Sequence, residues 1–132
     1  AKAALALARE QYTVQRVLLV WLQGESDAIY ETEKETYMAQ LRQLNNALRQ
    51  QLGLHCFGII RVGGFTGTPQ DAVIQDAQET LCSGDTGFAM LTRLTAELEQ
   101  DPAMMNPYVH GHFGAVGLAR LGAAAAQTLA AL

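Results

Sequence analysis

The sequence predicts an α/β fold, a three-layer sandwich with helices on both faces of a mostly parallel sheet. Three observations lead to it. Short apolar runs alternate with longer amphipathic stretches along the whole chain. Each run holds β-branched or aromatic residues and stops at glycine or a polar residue, as strands do. Hydrophobic residues make up 49% and charged residues 17%, enough apolar surface for one domain over residues 1–132. Strands joined through helices imply crossover connections, and these pair strands in parallel.

The elements follow in order. Ala1 to about Tyr12 is rich in Ala and Leu without a breaker, hence helix. Val17–Leu22 is a continuous apolar run, read as a strand buried on both faces and ended by Gly24. A long helix is expected from about Tyr30 to Leu52. Met38, Leu41, Leu44, Leu48 and Leu52 recur at three- and four-residue steps and form one stripe. Glu31, Glu33, Lys34, Glu35, Arg42 and Arg49 fill the wet face, acidic early and basic late as the helix dipole favours. Gly53 is a natural C-terminal stop.

His55–Val62 is the second strand, closed by Gly63-Gly64. Thr68-Pro69 is an N-cap followed by proline at the first helical position, and Ala72, Val73, Ala77 and Leu81 mark the helix behind it. Ser83-Gly84-Asp85 reads as a turn, and Gly87–Thr92 as the third strand. Leu94–Gln100 gives one or two helical turns before Asp101-Pro102. Phe113–Leu132 is Ala-rich helix, slightly weakened by Gly117 and Gly122. Three strands are few for this architecture, where about five are typical. The shortfall, with a first residue that is not Met, leads to the expectation that a preceding segment supplies further strands.

Composition excludes several functions. Nine Lys and Arg against thirteen Asp and Glu leave a net charge of -4, so there is no basic footprint for a nucleic-acid backbone. No apolar run approaches the roughly 18 residues of a membrane span, since Val17–Leu22 stops at Gln23. Cys56 and Cys82 are too few for a disulfide framework and match no zinc spacing. Cys56, in a strand, reads as a buried small residue. Cys82, beside Ser83-Gly84, reads as more exposed and open to reaction. Gly63-Gly64-Phe65-Thr66-Gly67 lacks a phosphate-loop lysine, so it reads as a substrate-side loop, and no cofactor is expected.

Chemistry concentrates in Val20-Trp21-Leu22-Gln23-Gly24-Glu25-Ser26-Asp27. These polar and flexible residues stand at the carboxyl end of a strand, the edge where open α/β sheets bind ligands. Gln23 can donate amide N–H groups to an oxygen, and Gly24 lets a ligand approach the backbone. Glu25 either orients Gln23 or acts as acid and base. The plainer alternative is a strand-to-helix turn whose Glu25 and Asp27 favour the coming helix.

This strand-W-x-Q-G-E-S-D block resembles the third conserved block of the SGNH-hydrolase superfamily, in the variant of sialate O-acetylesterases and related carbohydrate acetyl esterases. His112-Phe113 followed by Gly117 and Gly122 resembles the block that carries the catalytic histidine and opens the last helix. Ile74-Gln75-Asp76-Ala77-Gln78 resembles the family's R-x-A-Q helix, with Gln75 where arginine is common. The three matches run in the expected order from Trp21 to Gly122.

The resemblance implies a flavodoxin-like α/β/α fold and the hydrolysis of acetyl esters on sugars such as sialic acid or xylan. Gln23 would be an oxyanion-hole donor. His112 would activate a serine and then protonate the leaving sugar oxygen. Phe113 would pack beneath it, Gly117 and Gly122 would allow close helix–sheet contact, and Glu25 would hold Gln23 or the turn.

Two departures stand out. The aspartate usual three residues before the histidine is Val109 here. A backbone carbonyl, a water or a remote acid such as Asp101 would have to orient the ring. His110 competes as the base, but the Phe113 and glycine spacing favours His112. His110-x-His112 as a metal pair lacks a third ligand at suitable spacing, so no metal is expected. The nucleophile block is also missing. Ser26 and Ser83 are the only serines, and neither sits on a strained strand-to-helix elbow. Residues 1–132 therefore read as the C-terminal part of an esterase domain, with the serine on a preceding segment or chain. The rival expectation is a non-catalytic sugar-binding or assembly module that retains the fold.

Overall fold

The computed structural model describes residues 1–132. Three parallel strands, β1 (Val17–Trp21), β2 (Leu54–Ile60) and β3 (Phe88–Thr92), lie side by side in chain order. Leu19 stands opposite Phe57, and Phe57 opposite Phe88, so the register lines aromatic rings across the sheet. The Phe57 ring lies 5.7 Å from that of Trp21 and 5.0 Å from that of Phe88, both tilted. Such offset pairs strengthen packing beyond the area they bury.

Helix α1 (Lys2–Gln11) precedes the sheet and buries no residue. Helices α3 (Lys34–Leu52) and α4 (Pro69–Gly84) make the two crossovers and pack on each other over one face. Between them and the sheet lies the main core, with Met38, Leu41, Phe57, Ile59, Ile74 and Leu81 at its centre. Helix α6 (Ala115–Ala131) covers β3 and β2 on the other face, where Leu121 and Ala125 meet Ile60, Leu91 and Leu98. The alternation along β2 shows why two faces fill at once. Phe57 and Ile59 point to one layer and Ile60 to the other, while Gly58 leaves room for Leu91. The expected α/β/α sandwich is what the chain forms.

Three local expectations give way. The first concerns β1, which was expected to be buried on both faces. Its residues alternate instead, with Leu18 at 36% and Val20 at 47% exposure. β1 is a sheet edge, and α6 packs over β2 and β3, so one face of β1 stays open.

The second concerns the long helix. A short helix α2 (Glu25–Ile29) starts directly at Gly24, and α3 begins only at Lys34. Glu31 between them is left-handed at φ +53°, which ends a helix. Tyr37 and Asn45 also join the buried stripe, one residue round from the apolar positions that predict it. The third is Ser83-Gly84, expected as a turn but forming the last residues of α4. The other boundaries fall within two residues of the expected ones. No helix is long and apolar enough to cross a membrane.

Candidate active site

All three strands point their carboxyl ends at the same edge, and the polar loops gather there. After β1 the chain passes Leu22, Gln23 and Gly24 into α2. Gly24 has φ +154°, a backbone conformation that strains an L side chain, and a Cβ there would lie 2.8 Å from Ile74 Cγ2 and 3.0 Å from Val62 Cγ1. Only glycine fits this turn.

A buried polar cluster holds it. Gln78 on α4 is fully buried and uses three hydrogen bonds. Its Oε1 accepts from the Val62 N–H at 3.0 Å. Its Nε2 donates to the Gln23 carbonyl at 3.0 Å and to the Tyr37 hydroxyl at 2.9 Å. Tyr37 in turn donates to the same Gln23 carbonyl at 3.0 Å. Burial pushes the Tyr37 phenol up to about 12, against the opposing pull of Gln78, so it stays a donor at neutral pH. The Gln of the R-x-A-Q-like segment thus ties α4, α3 and the ends of β1 and β2 together.

The Gln23 side chain has its own partner. Its Nε2 donates to Asp27 Oδ2 at 2.6 Å, across the four-residue gap that a helical start brings together. The resemblance implies that role for Glu25, but Asp27 fills it, and the spacing of four from Gln23 is its signal in the sequence. Gln23 lines a cavity with Trp21, Asp27, Tyr37 and Gln40.

His112 lies elsewhere on the same edge. A helical turn, α5 (Thr95–Leu98), and a 3-10 turn, Pro102–Met104, lead from β3 into its loop. That loop is anchored at both ends. The Asn106 N–H donates to the His112 carbonyl at 2.7 Å, the Gly114 N–H to Met104 at 2.8 Å, and Met105 pairs with Phe113 in a single antiparallel bridge. Gly111 is left-handed at φ +74°, and a Cβ there would run into the Phe65 ring. His112 Nδ1 lies 3.0 Å from the carbonyl oxygen of His110. A carbonyl can only accept, so Nδ1 is the donor in this contact, and in the neutral ring Nε2 is then the acceptor. Phe65 stands edge-on to the imidazole, with centroids 6.0 Å apart.

The acid considered as a remote partner has another task, since Asp101 accepts from the Ala103 N–H at 2.9 Å and caps the 3-10 turn. Phe113 packs against Leu121 and its neighbours. Gly117 permits a close approach, but to the Met104 carbonyl and Phe113 rather than to the sheet. Around Gly122 there is open space, so it serves no contact of that kind.

His112, Glu25, Ser26, Leu22, Phe65 and Phe113 line one cavity of about 360 Å³. An adjoining cavity of about 300 Å³ shares Glu25, Phe65 and Phe113 and adds Gly64, Glu99 and His110. The structure therefore brings His112, Glu25 and Ser26 to one cleft and leaves Gln23 lining another. Gly63, Gly64 and Phe65 of the glycine-rich loop line the adjoining cavity. Asp71, almost fully buried, accepts from the Thr66 and Gly67 N–H groups and pins that loop to the start of α4. No three His, Cys, Asp or Glu side chains are grouped so as to hold a metal ion.

Cys82 differs from expectation. It packs against the main core, and burial, with Glu79 adding, pushes its thiol up to about 12. An unreactive thiol follows.

Comparison with curated proteins and with solved structures gives no match. A family model described as carbohydrate esterase, sialic acid-specific acetylesterase, matches residues 2–131, nearly the whole chain. The motifs, the α/β/α sandwich and this match agree, and the chain belongs to the sialic acid-specific acetylesterase family of carbohydrate esterases.

Proposed function

We propose that this chain forms the base-bearing part of a serine-type O-acetylesterase acting on sugars such as sialic acid or xylan. The observation that carries the proposal is the 3.0 Å contact of His112 Nδ1 with the His110 carbonyl. An imidazole with its proton held on Nδ1 offers Nε2 to take a proton from a nucleophile. In this reading a serine hydroxyl attacks the acetyl carbonyl while His112 Nε2 accepts its proton. His112 then gives that proton to the leaving sugar oxygen, and repeats the exchange with water to release acetate. We assign the second amide N–H of Gln23, beyond the one given to Asp27, to the oxyanion, which requires its side chain to turn from the cavity it shares with Asp27 and Tyr37 toward the His112 cleft. Gly24 and Glu25 shape the substrate side of the turn.

The serine belongs, in this proposal, to a segment preceding residue 1. Ser26 lines the His112 cavity but sits inside the five-residue helix α2 rather than on an elbow. The test is hydrolysis of 4-nitrophenyl acetate by the full-length protein. His112→Ala abolishes it and Ser26→Ala leaves it. Survival of activity in His112→Ala with loss in His110→Ala would move the base to His110, and loss in Ser26→Ala would move the nucleophile into α2. One observation favours a second reading, a sugar-binding or assembly module without turnover. No carboxylate hydrogen-bonds His112, so the imidazolium formed in catalysis lacks the usual partner. Absence of turnover with retained sugar binding would establish that reading.

A further inference from the structure

The His112 side chain is exposed, and its hydrogen bond goes to the His110 carbonyl within the same loop. One bond inside an exposed loop fixes neither the loop's place in the cleft nor the swing of the ring. A contact from another part of the chain is needed, and Phe65 makes one. Its half-buried ring stands edge-on to the imidazole, with centroids 6.0 Å apart. Gly111, left-handed at φ +74°, packs on the same ring, where a Cβ would collide with it. Phe65 also lines both cavities of the cleft.

Phe65 is itself held on either side. Before it, the Gly64 N–H donates at 2.6 Å to Glu99, the residue that closes α5. After it, the Thr66 N–H donates to Asp71 at 3.0 Å and the Gly67 N–H at 2.8 Å. Asp71 is only 6% exposed and lines neither cavity, so its carboxylate serves the loop and not the cleft. Charge-assisted bonds to a buried carboxylate are strong and costly to break.

From this chain of contacts we infer that Phe65 is a positioning residue for His112, and that Asp71 positions Phe65 through the loop. The inference rests on the esterase reading above and adds to it the part that aims the base. Proton transfer needs base and nucleophile within hydrogen-bond reach, and a misplacement of about 1 Å costs about a hundredfold in rate. A flat ring against the imidazole, on a loop clamped at both ends, limits that misplacement.

The test uses the full-length protein and 4-nitrophenyl acetate, with rates taken per folded enzyme from circular dichroism. Phe65→Leu removes the flat ring and keeps an apolar side chain, while Phe65→Tyr keeps the ring. We expect Phe65→Leu to lower kcat at least about fivefold with KM within about twofold, and Phe65→Tyr to retain kcat. Asp71→Asn lowers kcat as well, and combining it with Phe65→Leu adds no further loss, because both act by one route. A raised KM at constant kcat in Phe65→Leu makes Phe65 a substrate contact and overturns the inference, as do additive losses in the double variant. Should Phe65→Leu not fold, Asp71→Asn decides alone, and an unchanged kcat overturns the inference. If the parent protein hydrolyses no ester, the esterase reading fails, and nitrogen-15 NMR of labelled histidines reads the ring directly. Loss of the Nδ1-protonated form of His112 in Asp71→Asn or Phe65→Leu, with its retention in Phe65→Tyr, supports the positioning role. Unchanged tautomer populations overturn it.

Discussion

His112 and Gln23 illustrate how much of a site one residue's neighbours decide. His112 stands out through the resemblance that its spacing to Phe113 and Gly117 carries, and its Nδ1 faces a backbone carbonyl two residues away. Gln23 was legible as a donor, but its amide is bonded to Asp27 and it lines a different cavity. If Gln23 is the oxyanion donor, Gln23→Ala in the full-length protein lowers kcat by roughly 10²–10³ and leaves KM nearly unchanged. A raised KM at constant kcat would show that it only holds substrate. The cysteines make a second case at this scale. Burial raises the Cys56 thiol, against the pull of Arg49 and Arg16, and pushes Cys82 up to about 12. Cys82 is therefore protonated near neutral pH, so iodoacetamide labels it slowly in the native protein and rapidly once denaturant is added. Mass spectrometry of the native protein checks this, and rapid native labelling of Cys82 would contradict its burial.

At the scale of elements, α4 is the hinge pin of the site edge. Gln78 on its inner face holds the Gln23 turn, and Glu79, beside it, clasps the ends of β2 and β3 through Arg61 and Arg93. The Arg93 contact, aided by Arg61, holds the Glu79 carboxyl below its usual range, against a smaller opposing effect of burial. A carboxylate whose folded pKa is depressed adds stability above its unfolded pKa, and that stability is lost as pH falls through the folded value. Glu79→Gln therefore costs about 1 kcal/mol at neutral pH. The difference from the parent protein shrinks as pH drops below about 4.3 and through the folded pKa. Urea denaturation at several pH values reads it, and a pH-independent cost would point to packing instead of charge. Helix boundaries set by Gly53 and by Thr68-Pro69 were readable because a cap is a local event. The break at Glu31 was not, since no Gly or Pro marks it and a left-handed Glu is sustained by surrounding structure.

On the scale of the whole molecule, the open face of β1 is the feature with most consequence. Leu18, Val20, Ile29 and Leu118 are all exposed large apolar side chains, and β1 is an unprotected parallel edge. Such an edge invites pairing with another chain. Residues 1–132 expressed alone are expected to self-associate, and Leu18→Lys with Val20→Lys to reduce it. Sedimentation velocity over a range of concentrations measures this, and a monomer at every concentration would refute it.

The sequence by itself determined the α/β class, the three strands, the crossover helices and the two segments that meet at the candidate site. Hydrophobic period, capping residues and glycine stops are properties of neighbouring residues, and they survive without the fold. Only the tertiary structure decided which side chains share a cleft: Glu25, Ser26 and Glu99 with His110 and His112, but not Gln23. It also decided that β1 is half-covered and that Cys82 packs, half-buried, against the main core. These depend on which helix lies over which strand, and on residues dozens of positions apart meeting in space, information that no local pattern contains.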